Sequence, residues 1–304
     1  MVSRVAKASA SVIVLGLGLA GAFYLATAPD ALPESHWAGL GVPDLENGRR
    51  VFWAGGCASC HAAPGAKDDE RLVLAGGLPL KSPFGTFYGP NISPDETAGI
   101  GGWTLAEFGN AMKRGVGAAG EHLYPAFPYG SYIRATDKDV NDLWGFLGTL
   151  PKSSNVAPPH DLPFPFNIRM GIGVWKFLYL TDAPRVALAD ADDRQKHGQY
   201  LVEGLGHCGE CHTPRTELGG LIDAEWLAGA PNPEGEGRVP DITPGSKSIG
   251  SWSAGDIASY LETGFTPEYD SVGGSMVEVQ RNMAMLPAED REAIAAYLKA
   301  IPAR

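Results

Sequence analysis

The sequence predicts an all-α protein in which an N-terminal transmembrane helix precedes two tandem helical domains. Three observations carry that expectation. An uncharged, mostly apolar run extends from Ala8 to Ala28. A five-residue motif, Cys57-Ala58-Ser59-Cys60-His61, returns as Cys208-Gly209-Glu210-Cys211-His212. Around these motifs the chain repeats itself once, with an offset of about 150 residues.

The apolar run comes first. At 1.5 Å per residue a helix over it would be about 30 Å long, enough to cross a bilayer. The competing reading is a cleaved signal peptide, and Ala26-Thr27-Ala28 has the small residues of a cleavage site. Pro29 would then be the first mature residue, which disfavours cleavage, and the run is longer than a usual signal core. Residues 1–28 are therefore expected to stay as a membrane anchor. Arg4 and Lys7 precede the run and Asp30 and Glu34 follow it, which leaves the N-terminus inside and the bulk of the chain exported.

The first domain is expected over 29–151 and the second over 191–304. Asn47-Gly48-Arg49-Arg50 parallels His197-Gly198-Gln199-Tyr200, and Asn91-Ile92-Ser93-Pro94 parallels Asp241-Ile242-Thr243-Pro244. Gly102-Trp103-Thr104 parallels Ser251-Trp252-Ser253, and Asp139 to Pro151 parallels Asp290 to Pro302. Helices are expected from Glu46 to Ala54 and from Arg194 to Glu203, each leading into a motif. Thr104-x-x-Glu107 and Ser253-x-x-Asp256 are capping boxes. Their helices should end near Gly115 and Gly264, glycine suiting a left-handed C-terminal position. Thr136-x-x-Asp139 opens another helix, with Val140, Leu143, Trp144, Leu147 and Leu150 on one face. Ile294, Tyr297, Leu298 and Ile301 show similar spacing, and Pro151 and Pro302 act as stops. These aromatics at helical spacing are read as core.

Each motif has the form C-x-x-C-H, the attachment site of a c-type haem. Two thiols three positions apart form thioethers with the two vinyl groups of one porphyrin, and the next histidine reaches the iron. A zinc ribbon also uses C-x-x-C pairs but needs no histidine after each. The chain has four cysteines and the motifs use all of them. Two covalently bound haem c groups are expected, on Cys57, Cys60 and His61 and on Cys208, Cys211 and His212. A helix before each motif and an apolar-faced helix at each domain end match the class I cytochrome c fold. The formal charge of −11 argues against a nucleic-acid partner. No Ser/His/Asp set, phosphate loop or nicotinamide fingerprint accompanies the motifs.

A Pro-rich connector is expected over 152–190. Pro158-Pro159 and Leu162-Pro163-Phe164-Pro165-Phe166 disfavour helix and central strand. Met170 to Leu180 reads as a short apolar helix. The connector is read as packing over both domains, with a docking surface for a partner subunit or the membrane as the alternative.

Several segments carry a family resemblance. They are Phe84-Gly85-Thr86, Asn91 to Asp95, Gly99 to Trp103, Leu123-Tyr124-Pro125-Ala126-Phe127-Pro128-Tyr129, Leu162 to Arg169, Cys211-His212-Thr213-Pro214-Arg215 and Tyr297-Leu298. Together they resemble the membrane-bound multihaem cytochrome c subunits of bacterial alcohol, gluconate and related dehydrogenases. The resemblance implies a periplasmic electron carrier at the cytoplasmic membrane. It would take electrons from a catalytic dehydrogenase subunit and pass them to a downstream cytochrome, an oxidase or quinone. Well-known members commonly have three haem domains, where this chain has two. Many have methionine at the position of Phe127.

Met276 is the expected distal ligand of the second haem, in the loop after the glycine-ended helix; Met283 and Met285 are its rivals and read as packing residues. The family's Gly-Pro-Met segment points to the same residue within Gly274-Ser275-Met276. Gly264 lies twelve residues before Met276, and twelve residues after Gly115 is Phe127, whose ring offers iron no lone pair. The first iron is then five-coordinate, or takes Met112 or His122. Met112 reads as core, so His122 is the expected ligand. The function expected is a dihaem electron relay. The alternative is a dihaem oxidoreductase of thiosulfate dehydrogenase or peroxidase type. A haem-based sensor would need a signalling domain that the chain lacks.

Overall fold

The computed structural model describes residues 16, 18, 21–232, 235 and 237–304. Most of the anchor expected over 1–28 lies outside these residues. Within them a short helical stretch covers 21–26, and no helix is long and apolar enough to cross a membrane.

The first half begins its haem-binding region with α1 (Leu45–Ala54), opened by the Asp44 carboxylate accepting from the Glu46 and Asn47 amides. The motif turn follows as α2 (Cys57–His61). Then come α3 (Leu105–Arg114), the single turn α4 (Tyr129–Tyr132) and α5 (Asp137–Leu147). The connector carries α6 (Gly171–Tyr179). The second half holds α7 (Asp193–Tyr200), α8 (Gly209–His212), α9 (Ala254–Thr263), α10 (Met276–Met283) and α11 (Ala288–Ala300). Both capping boxes form, and α3 and α9 end on Gly115 (φ 59°) and Gly264 (φ 77°). The left-handed backbone there would strain any residue with a Cβ.

Two features depart from the expected elements. The chain is not wholly helical: antiparallel pairs join Pro79–Ser82 to Gly85–Tyr88 and Ala230–Pro231 to Arg238–Val239. The helix entering the second motif stops being α-helical at Tyr200 and continues as a π-turn over Leu201–Leu205, with Gly206 N–H bonding the Leu201 carbonyl at 2.6 Å. The cause is one inserted residue. His197 follows Asn47 by 150 positions, whereas Cys208 follows Cys57 by 151. A π-turn absorbs a single insertion without displacing what lies on either side.

Each half has the same core crossing. In the first, α1 lies on α5 and buries Phe52, Val140, Leu143 and Leu147. In the second, α7 lies on α11, which buries Ile294, Tyr297 and Leu298. Each fully buried side chain of this size contributes about 2 kcal/mol. Glycine sits at both crossing points. A Cβ on Gly48 would lie 2.1 Å from the Asp142 carbonyl oxygen, and one on Gly198 would lie 1.9 Å from that of Ala293.

The two halves meet through exchanged contacts. Arg50 donates to Asp290, its Nε at 2.6 Å, while Tyr200 O–H donates to Asp139 at 2.5 Å. Residues 50 and 200 occupy matching positions in the repeat, as do 139 and 290. Likewise Asn282 Nδ2 donates to Ser59 Oγ at 2.7 Å, and Ser131 Oγ donates to Glu210 Oε1 at 2.7 Å. Here 59 matches 210 and 131 matches 282. Reciprocal pairing of this kind is the signature of a two-fold interface, here within one chain.

Asp290 is fully buried and takes a second hydrogen bond, at 2.6 Å, from His197 Nε2. Burial pushes its carboxyl pKa up, but the His197 and Arg50 hydrogen bonds outweigh that and hold it below the usual carboxylate range. A depressed folded value means the stabilisation is complete above the unfolded value of about 3.9 and is lost as pH falls through the folded value. Asp290→Asn is therefore expected to cost about 2 kcal/mol at neutral pH. The gap between variant and parent in chemical denaturation should narrow on acidification. Equal midpoints at neutral pH would show that the seam gains nothing from this charge.

The connector packs over both halves. Asn155 Nδ2 donates to the Ala75 carbonyl, and Thr86 and Asp161 pair as an isolated bridge. At its far end the Arg185 and Val186 amides donate to the buried carboxylate of Glu203, which also accepts from Gln199 and Tyr297.

Candidate haem-binding sites

Both motif turns begin from a left-handed residue, Gly56 (φ 63°) in one half and His207 (φ 39°) in the other. No disulfide joins any of the four cysteines. Among the described residues no three His, Cys, Asp or Glu side chains converge on a metal-binding group.

The histidines are set alike. His61 Nδ1 lies 2.9 Å from the Pro90 carbonyl oxygen, and His212 Nδ1 lies 2.8 Å from that of Pro240. An N–H at Nδ1 donating to a carbonyl fixes the tautomer and ring plane and leaves the Nε2 lone pair for a metal. Burial pushes both imidazole pKa values down, partly opposed by these carbonyls, and so favours the neutral, ligating form. The backbone carbonyls of the same histidines accept from Gly76 and Gly229 amides at 2.7 and 2.8 Å. Gly89, just after the Gly85–Tyr88 strand, lets the chain approach the first turn, because a Cβ there would meet the Cys60 carbonyl oxygen at 2.1 Å. Two thiols and one oriented imidazole per turn are the donor set that a covalent haem requires.

The roles of Pro90 and Pro240 were not legible from either motif. They head the repeated Asn91 and Asp241 segments, whose side chains accept from the Ser93 and Thr243 amides in matching turns. That repeat was the available signal.

In the loops after α3 and α9 the repeat register is explicit. Val116 pairs with His122 and Phe265 with Ser271 in isolated antiparallel bridges, both offset by 149. The amides of Leu123 and Val272 donate to the carbonyls of Gly115 and Gly264. His122 is thus the counterpart of Ser271; counted on from these bridges Phe127 falls at the place of Met276, and the register has moved to an offset of 151 by Ser131 and Asn282. Met276 is partly buried at the start of α10, beside the core cluster. Met112 and Met283 are core residues, 5% exposed. Phe127 packs on Tyr132 with ring centroids 5.6 Å apart.

His122 is enclosed, and one of its two ring nitrogens is engaged. Its Nε2 lies 2.7 Å from the carbonyl of Thr27, at the end of the N-terminal helical stretch, and its own carbonyl accepts from Arg169 at 2.7 Å. Nδ1 is buried without a hydrogen-bond partner. A loop reading could not anticipate a tie to a segment 95 residues away.

The seam brings the motif turns together. Tyr132 O–H donates to the Gly55 carbonyl at 2.6 Å, while its ring meets His207 edge-on at 5.6 Å. One side chain therefore touches the residues that lead into both motifs.

The cytochrome c family model matches residues 45–151. A diheme cytochrome c-type protein of Cereibacter sphaeroides is 53% identical over 292 residues, covering 96% of each chain. The chain belongs to the dihaem c-type cytochromes. This cytochrome is also 40% identical to the fructose dehydrogenase cytochrome subunit of Gluconobacter japonicus, over 86% of its own length and 53% of that subunit. It is 32% identical to the gluconate 2-dehydrogenase cytochrome c subunit of Pantoea cypripedii, over 86% and 60%. It thus spans little more than half of those dehydrogenase subunits. As a dihaem cytochrome it carries two covalent haem c groups. Mass spectrometry of the denatured protein should show two haem additions, and the C208S/C211S double variant one; two additions on that variant would contradict the assignment.

Proposed function

We propose that this dihaem cytochrome is the electron-transfer subunit of a dehydrogenase complex. It takes electrons from a catalytic dehydrogenase subunit and relays them, one at a time, through both haems toward the respiratory chain. The observation that carries the reading is the seam, where the two C-x-x-C-H turns face one another across Tyr132 and His207. Similarity to the fructose and gluconate dehydrogenase cytochrome subunits supports the partner class. Haem supplies reversible one-electron chemistry. The chain orients the two imidazoles that would hold the irons and ties the two motif turns together across the seam. We further propose two class I cytochrome c domains, over 29–151 and 191–304, held outside the cytoplasmic membrane by residues 1–28.

The test is purification of the complex from native membranes under mild detergent. A dehydrogenase should copurify, and its substrate should reduce both haems. If the chain alone turns over thiosulfate or peroxide, the dihaem enzyme reading replaces this one.

Met276 is the proposed distal ligand of the second haem. For the first haem it is His122, through Nδ1, the nitrogen without a hydrogen-bond partner. Losing a thioether lowers a haem potential, so electrons would run from the first haem to the second. His122→Ala is expected to change only the lower step of a redox titration. An unchanged lower step would leave His122 as the tie to Thr27 alone.

A further inference from the structure

The stretch of the connector from 162 to 181 presents no acidic residue and turns both of its cations inward. Between Asp161 and Asp182 the only charged residues are Arg169 and Lys176. Both turn inward. Arg169 donates to the His122 carbonyl and lies over the Tyr124 ring at 4.6 Å. Lys176 Nζ donates to the Gly115 carbonyl at 2.7 Å and lies over Tyr129 at 5.1 Å. Burial, with Arg114 nearby, pushes its ammonium pKa down to about 7. What faces outward is apolar. Val174, Phe177 and Leu178 lie on one face of α6, at spacings of three and four residues. Phe164, Phe166 and Ile168 are exposed in the turns that lead directly into it. Phe177 is 87% exposed and Phe164 78%. A patch of this kind on a protein of net charge −11 marks a contact with something apolar.

The position of the patch identifies the occupant. Gly173, on the inner side of α6, packs against Thr27 so closely that a Cβ would lie 2.3 Å from the Thr27 carbonyl oxygen. Thr27 is buried at the end of the apolar run 8–28, and the exposed Phe23, Tyr24 and Leu25 just precede it. A run of that length that crosses a bilayer brings Thr27 to the membrane surface. Helix α6, in contact with Thr27, is then at headgroup depth, where aromatic and apolar side chains enter the lipid boundary.

We propose that α6 and the preceding 163–168 segment form a second membrane contact, lying in the surface of the bilayer that holds the N-terminus. This rests on the anchor proposed above. It orients the first haem-binding half against the membrane through its connector, with His122 and Lys176 as the inward ties.

The test uses the full-length, haem-loaded protein carrying Phe177→Cys. The native cysteines are held in thioethers, so a nitroxide attaches at position 177, and a Lys247→Cys protein serves as the comparison. Each is placed in vesicles of phosphatidylcholine and phosphatidylglycerol. Collision rates with oxygen, which favours lipid, and with a water-soluble nickel chelate are read by electron paramagnetic resonance. Position 177 is expected to favour oxygen and position 247 the chelate, so the depth parameter changes sign between them. If the protein stays on the vesicles while position 177 favours the chelate, the surface contact is refuted and the anchor stands. Shielding from both reagents refutes lipid and indicates a protein contact. Protein that leaves the vesicles refutes the anchor, and the surface contact with it.

Discussion

An alanine at Gly198 should be among the most damaging single substitutions in the molecule. Helix propensity alone predicts a gain of about 1 kcal/mol for glycine to alanine inside a helix. The crossing reverses that sign. The new Cβ would lie 1.9 Å from the Ala293 carbonyl oxygen and 2.6 Å from its carbon, and both belong to the backbone of α11. Backbone cannot swing aside as a long side chain can, so the two helices must separate. Overpacking of this severity costs about 3 kcal/mol or more. Gly48→Ala should behave alike, because its Cβ would meet the Asp142 carbonyl oxygen at 2.1 Å. Gly255→Ala in α9 is the control, where the nearest atom is the Ser253 hydroxyl oxygen at 3.6 Å and the effect should be a gain of up to about 1 kcal/mol. Chemical denaturation of the three holo variants decides the matter. If Gly198→Ala and Gly255→Ala share a midpoint, the crossing is not sterically closed.

The second large effect is electronic. Met276→Ala should lower the potential of one haem by about 0.1–0.3 V, within the ~0.8 V that axial ligands span. The charge-transfer band of methionine-ligated ferric haem should vanish with it. The first haem should titrate as before, since its half has Phe127 at that position. Met283 is buried in the core and Met285 is 43% exposed on the α10–α11 turn, so neither replaces it without rebuilding the loop. A titration identical to that of the parent protein would remove Met276 from the coordination sphere.

What the sequence made legible is local. Thr104 with Glu107, Ser253 with Asp256, and the terminal glycines 115 and 264 act within one helical turn, so their spacing announces them. The C-x-x-C-H turns are legible for the same reason. The single-residue insertion was also in the sequence, as a change of offset between His197 and Cys208. Its outcome as a π-turn was not, because only the fixed positions of α7 and α8 force the helix to absorb it. The exchanged pairs, Arg50 with Asp290 and Tyr200 with Asp139, join residues far apart in the chain. No local pattern distinguishes them from solvent-facing charge. His122 shows the same limit. Its loop position drew attention, while its bond to Thr27 depends on where the N-terminal segment returns. The short antiparallel pairs are not legible, because two to four residues carry too little periodicity to separate strand from loop.

The seam has a consequence for direction. Two identical subunits related by a true two-fold axis must hold their cofactors at the same potential, so an electron shared between them has no preferred end. Joining the copies in one chain keeps the reciprocal contacts but releases the two sides from identity. On the ligation proposed above, this chain would use that freedom at the iron, with Phe127 on one side and Met276 on the other. With the ligands proposed above, a symmetric frame would hold two unequal energy levels, and an electron shared across the seam would rest on the methionine side.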